Sequence, residues 1–252
     1  MQKQEVSYLK DNSPTIPQRD KFKGSIFIKE LPWTTKQKEI IDTILDSKSK
    51  IVFVNGNAGT GKSILATYCG LKLLSTKKVS DIIFVRTALE VSDSASLGYL
   101  KGDLLSKLLP YYQVFTDKCQ ELLKAEDNQK LQQDNRVTFV PVNFARGLSW
   151  AVKYILMEEA NNYTFGEYKL LLTRYGMKSK MVFVGDFSQT DLPAKKQGAF
   201  KRIYDLFDNQ QSRDNGIYCF SLGDEDIKRS DILGFILKTL DDSRVEPMFP
   251  AK

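Results

Sequence analysis

The chain has 252 residues, 42% of them hydrophobic, with 37 Lys and Arg against 31 Asp and Glu for a formal net charge of +6. That length supports one sizeable soluble core, and the positive balance suits an acidic partner such as nucleic acid. Histidine is absent, which excludes His general-base catalysis, Ser-His-Asp and Cys-His nucleophile systems and most zinc and non-haem iron sites.

Cys69, Cys119 and Cys219 are odd in number and form no CxxC, so neither a disulfide scaffold nor a zinc ribbon is expected. The first ten residues lack the apolar region of a signal peptide, and no apolar run approaches a membrane span. The expectation is a cytoplasmic protein, in a bacterial cell or a virus-infected bacterial host.

Residues 1–31 are polar, broken by Pro14 and Pro17, and read as an N-terminal arm. Next, Thr34 or Thr35 caps a helix that carries Ile40, Ile41, Ile44 and Leu45. Six short apolar runs follow, at 51–54, 82–85, 137–142, 154–157, 181–184 and 217–220. Several are continuous, the mark of strands buried on both faces of a parallel sheet. Helical patterns lie at 62–75, 164–174, 197–208 and 229–240. Residues 111–135 are mostly polar and helical in propensity, and are expected to form a surface insertion. The alternation predicts one three-layer α/β/α domain over 32–240 with a mostly parallel central sheet, followed by a tail at 241–252.

The strongest local signal is Gly56-Asn57-Ala58-Gly59-Thr60-Gly61-Lys62-Ser63, a GxxxxGK[ST] loop between an apolar strand and a helix. Its glycines let backbone N–H groups turn inward around phosphate oxygens. Lys62 is expected to reach the β and γ phosphates, and Ser63 to offer a hydroxyl to Mg²⁺. The fourth run ends in Glu158 and Glu159: the first stands where a metal-holding acid is expected, the second where a water-activating base is expected. The fifth ends in Gly185-Asp186-Phe187-Ser188-Gln189, and Asp186 and Gln189 are candidates to touch the γ-phosphate or its attacking water.

These motifs resemble the PhoH family of P-loop ATPases, related to the core of superfamily 1 helicases. The matching stretches, in family order, are Thr35-Lys36-Gln37, the P-loop, Arg86, Leu97-Gly98-Tyr99-Leu100-Lys101-Gly102-Asp103-Leu104, Lys107 and Pro110-Tyr111. They continue with Ala145-Arg146-Gly147, Glu158-Glu159-Ala160-Asn161, Leu172-Thr173-Arg174-Tyr175-Gly176, Gly185 to Pro193, and Ile227-Lys228-Arg229. The resemblance implies a RecA-like core, ATP and Mg²⁺ as cofactors, and ATP hydrolysis. Less directly, it implies work on RNA or single-stranded DNA and assembly into a ring such as a hexamer. It also implies that Gln37 reads the adenine edge. The chain departs from the family pattern at Glu158 and Asn161, where the family has Asp and Gln, at Leu148, where an Arg is lost, and at Thr87, where it has Pro.

The expected function is therefore ATP hydrolysis coupled to nucleic acid. Lys195, Lys196, Lys201 and Arg202, with Phe187, Phe200 and Tyr204, are a candidate strand-binding cluster. The alternative is a slow-hydrolysing, nucleotide-switched assembly or regulatory protein without helicase activity, mildly favoured by the longer Glu158 side chain. Completing the γ-phosphate site needs a further cation. Arg174 is the candidate from a neighbouring subunit, and Arg229 from the same chain.

Overall fold

The structure, a computed structural model, describes residues 22, 24–87, 104–189 and 199–227. Six parallel strands form one sheet: β1 (Ile51–Asn55), β2 (Asp81–Arg86), β3 (Val137–Pro141), β4 (Lys153–Met157), β5 (Lys180–Gly185) and β6 (Ile217–Ser221). Their spatial order is β3-β2-β4-β5-β1-β6. The helices are α1 (Thr35–Leu45), α2 (Lys62–Ser75), α3 (Leu104–Leu122), α4 (Ala125–Gln133), α5 (Phe165–Leu172), α6 (Ala199–Phe207) and α7 (Gln210–Asp214). All six expected strands are present, and the fold is the expected α/β sandwich. The expected helix at 229–240 and the tail lie outside the described residues.

The central residues of β1, β2, β4 and β5 are apolar because both sheet faces are covered. Val52, Val54, Ile82, Phe84, Tyr154, Leu156, Val182 and Val184 point into the core under α1, α2 and α3. Their alternates Ile51, Phe53, Ile83, Val85, Ile155, Met157, Met181 and Phe183 point into the core under α5 and α6. Side chains on a strand alternate between faces, so a strand buried twice needs no polar position. Thr34 caps α1 as the sequence predicts. Its hydroxyl accepts from Gln37 N at 3.1 Å while the Gln37 carboxamide accepts from Thr34 N at 2.9 Å, a reciprocal capping box.

Two expectations are corrected. Residues 111–135 are no surface insertion, because Phe115, Cys119, Leu122 and Leu131 are buried in the same core as α2. Some of their polar residues face outward, while Thr116, Asp127 and Asn128 are themselves buried. The notion of 1–31 as an arm or loose extension also fails over its described part, since Phe22, Ile26 and Ile28 are buried. There the backbone pairs with the α3–α4 junction, with Lys29 N donating to Leu122 O at 2.8 Å and Phe27 N to Asp127 Oδ2 at 2.9 Å. Among the described residues no cysteine is disulfide-bonded, and no helix is long and apolar enough to cross a membrane.

Candidate nucleotide site

All six strands run the same way, so their C-terminal ends share one edge. The loop at 56–61 springs from β1 there, with β5 beside it and β4 one place further. Strand order reverses around this point, and such switch points form crevices at the carboxyl edge of open α/β sheets. Gly59 and Gly61 have φ of +86° and +77°, conformations that a side chain disfavours. Lys62 begins α2 and folds over the loop, donating to Asn57 O at 2.8 Å and to Gly56 O.

The acids act on this lysine through their charge. Burial pushes the Lys62 ammonium below its ordinary pKa, while Asp186, Glu159 and Glu158 hold it up. Three carboxylates from the ends of β4 and β5 thus act on one cation at the start of α2. Glu158 is 3% exposed, and its backbone N–H donates to Val85 O at 3.0 Å. The same carbonyl accepts the Tyr163 hydroxyl at 2.9 Å, which ties the acid pair to the end of β2. Glu159 has a φ of +52°, a left-handed turn that separates the two carboxylates. Its Oε1 lies 3.7 Å from an Arg86 nitrogen. Asp186 is 6% exposed: Oδ1 accepts from Ser188 N and Oγ at 2.9 and 2.6 Å, while Oδ2 is buried with no hydrogen-bond partner.

The loop is braced from outside. Gln37 is buried, and its amide nitrogen donates to Thr60 O at 3.0 Å and toward Asp226 O at 3.5 Å. The carboxamide that the resemblance assigns to the adenine edge therefore bonds within the chain on both sides, and contact with a base would require exchanging one of these bonds. Asn55 closes β1: its Oδ1 accepts Phe187 N at 3.0 Å and its Nδ2 donates to Ser221 Oγ at 2.8 Å. Asn161 Oδ1 accepts Asp186 N at 3.1 Å.

The remaining candidates are more scattered. Gln189 is exposed, its N–H meeting Asp186 O at 3.4 Å. Arg174 follows α5, which runs from the end of β4 back toward the start of β5, and so lies at the sheet edge opposite the P-loop. It donates to Leu148 O at 3.3 Å, and its own carbonyl accepts Trp150 N at 3.3 Å. A contact in trans would need a neighbour's P-loop edge to pack on this face. Arg229, Lys195 and Lys196 lie outside the described residues, as do residues 88–103 and 190–193 of the family-like stretches.

Phe200 is corrected as a stacking candidate. It is 2% exposed and packs against Phe187 and Tyr168. Lys201 pairs with Asp205 at 2.7 Å, and Arg202 lies over the Phe165 ring at 4.9 Å. Sequence reasoning did not single out Asn55, though a polar residue ending an otherwise apolar strand is a usable signal. It also read Lys118 as solvated helix surface, yet Lys118 Nζ lies 3.2 Å from Glu158 Oε1. That approach lacks hydrogen-bond alignment, so Oε1 has an ion-pair partner and no hydrogen bond.

The site fits a hard divalent cation. Ser63 and Glu158 offer oxygen ligands, and buried carboxylate oxygens of Glu158 and Asp186 lack hydrogen-bond donors. Among the described residues no three His, Cys, Asp or Glu side chains enclose a metal by themselves. Mg²⁺ at nucleotides takes most of its ligands from phosphate and water, so one or two protein oxygens suffice.

A family model described as PhoH-like protein matches residues 30–241. A PhoH-like protein of Bacillus subtilis is 30% identical over 208 residues, covering 82% of this chain and 63% of the relative. A PhoH-like protein of Mycobacterium tuberculosis is 34% identical over 178 residues, covering 71% and 49%. Protein PhoH of Escherichia coli is 29% identical over 188 residues, covering 74% and 51%. The chain thus spans about half to under two thirds of the length of these relatives. Among solved structures, Pif1 helicase from Candida albicans aligns with 77% of this chain and 40% of its own, at 15% identity and a TM-score of 0.38.

Proposed function

This chain belongs to the PhoH-like protein family, a P-loop NTPase family, and on that premise we propose that it is a magnesium-dependent ATPase whose turnover is coupled to single-stranded nucleic acid. The observation that carries the reading is that the P-loop after β1 and the acids Glu158, Glu159 and Asp186 after β4 and β5 share one edge of the sheet, where the acids' charges act on the Lys62 ammonium. A P-loop lysine serves the β and γ phosphates, and acids beside it serve the metal and the attacking water.

In this reading the 56–61 backbone binds phosphate oxygens, with the N-terminus of α2 adding positive potential. Lys62 exchanges its loop carbonyls for phosphate. Ser63 and Glu158 would hold Mg²⁺, which would supply positive charge against the phosphate oxygens. Glu159 orients water and takes its proton, held by Arg86 at 3.7 Å. Asp186 and Gln189 follow β5, which lies between the strands that carry the P-loop and the acid pair. Nucleic acid is supported by the net charge of +6 and by the exposed Phe144 and Arg146 just after β3, an aromatic face and a guanidinium two residues apart.

ATP turnover and fluorescent-nucleotide binding, each measured with and without single-stranded RNA and DNA, test the reading. Lys62→Ala should lose binding or turnover, whereas Glu159→Gln should bind nucleotide and stall. Unchanged turnover in Lys62→Ala would refute the ATPase assignment. Near-zero turnover that nucleic acid leaves flat would favour the switch protein, a reading consistent with Lys118 resting on Glu158.

A further inference from the structure

Glu158 carries a partner that the nucleotide reading does not use. The Glu158 carboxylate is 3% exposed, and the Lys118 ammonium lies 3.2 Å from its Oε1. Lys118 comes from α3, whose Phe115, Cys119 and Leu122 are buried and fix the helix. The α3–α4 junction is further held by Lys29 N on Leu122 O. The Lys118 side chain is itself 20% exposed, so it borders solvent. It can swing out while its helix stays in place.

Two cations cannot both sit on one carboxylate oxygen without repulsion. We propose that Lys118 is a resident cation that competes with the divalent metal for Glu158 and thereby sets how much metal the site requires. The inference rests on the nucleotide reading above and adds a positioning residue to it. Lys118 holds the carboxylate while the metal is away and yields it when the metal–nucleotide arrives. Its location on α3 means that whatever shifts that helix also changes the metal requirement.

The test is electron paramagnetic resonance titration of Mn²⁺ into the full-length chain with ADP, comparing wild type with Lys118→Met, Lys118→Gln and Lys118→Arg. Fluorescent-ADP binding in EDTA and with Mn²⁺ is measured in parallel. A charge within ~4–6 Å changes the ion affinity of a carboxylate by roughly 10- to 1000-fold when the ion is a proton. The solvent access of Lys118 puts the expected effect at the low end of that range. Lys118→Met should bind Mn²⁺ about tenfold more tightly, with Lys118→Arg close to wild type. Lys118→Gln supplies the same comparison should the Met variant not fold. Unchanged or weaker Mn²⁺ binding in the neutral variants, with ADP binding intact, would overturn the competition and leave Lys118 as a structural charge partner. No ADP binding by wild type under either condition would overturn the nucleotide reading itself, and this inference with it.

Discussion

Gly61 and Gly147 make a matched pair for testing what the P-loop glycine accommodates. Both have positive φ, +77° and +84°. At Gly147 an added Cβ would meet no atom within 4 Å, whereas at Gly61 it would lie 3.2 Å from Gln37 Nε2. Alanine in the left-handed region costs about 1–2 kcal/mol, and the stiffer unfolded chain returns about 0.4–1 kcal/mol. Gly147→Ala should therefore destabilise by roughly 1 kcal/mol. Gly61→Ala carries the same term and also presses on a carboxamide that bonds Thr60 O at one end and Thr34 N at the other. Disturbing one or both bonds adds about 1–2 kcal/mol, for a total near 2–3 kcal/mol. Urea midpoints multiplied by a common slope measure both variants. In a Gln37→Ala background the cost of Gly61→Ala should fall to that of Gly147→Ala. Equal costs in the wild-type background, or no change on removing Gln37, would refute the view that the Gln37 strut sets the demand for glycine at 61.

Two further outcomes follow from buried charge and buried thiols. Lys153 Nζ meets Asp81 Oδ2 at 2.7 Å in the interior, with Arg136 at 3.9 Å from the other oxygen. Lys153→Met should cost about 3 kcal/mol in urea denaturation, and adding Asp81→Asn should recover most of it; additive costs would refute the pairing. Burial pushes the Cys119 thiol up to about 12, against an ordinary 9.0. A raised folded pKa gives stability that is full below pH 9 and is lost as pH rises toward 12, because the unfolded chain releases its proton first. Denaturation midpoints should fall over that window, by about 1.4 kcal/mol per pH unit for this thiol, and less steeply in Cys119→Ala. Parallel slopes would show that Cys119 contributes nothing to the decline.

The strands were legible because a parallel sheet covered on both faces favours apolar residues between the strand ends, so Ile51 to Val54 and Met181 to Val184 announce themselves without alternation. The P-loop was legible because the positive φ of Gly59 and Gly61 is a local backbone demand that glycine meets. The layer built by α3 and α4 was not. Phe115, Cys119, Leu122 and Leu131 are spaced among Lys, Gln and Glu, and composition averaged over 111–135 hides a stripe that only the facing α2 makes useful. The same averaging concealed Lys118, since no local pattern separates a lysine that reaches a buried carboxylate from one that points at water. Gln37 misleads in the other direction. Its motif suggests a ligand contact, while its position three residues after Thr34 equally suits the capping box it makes.

The struts around the P-loop also bear on how the candidate nucleotide site keeps its shape. Gly56 N donates to Gly185 O at 3.2 Å, and Leu222 N to Asn55 O at 2.9 Å, so the loop's base is bonded to the strand ends on both sides. Asp226, 1% exposed, accepts from Gly223 N at 3.1 Å and from the Thr34 hydroxyl, and its own carbonyl faces Gln37. Gln37 then reaches Thr60 within the loop. The cap of α1, the turn after β6 and the phosphate loop are thus successive links of one hydrogen-bonded chain. Backbone donors already fixed in direction lose little freedom when they meet an anion, which is the condition under which a loop binds phosphate strongly. The two lysines differ from this fixed frame. Lys62 bonds loop carbonyls and Lys118 ion-pairs with Glu158, and in the proposed site a metal–nucleotide would take over both contacts. In the proposed site, a braced backbone cradle combined with exchangeable cations would let a nucleotide bind without rebuilding the fold.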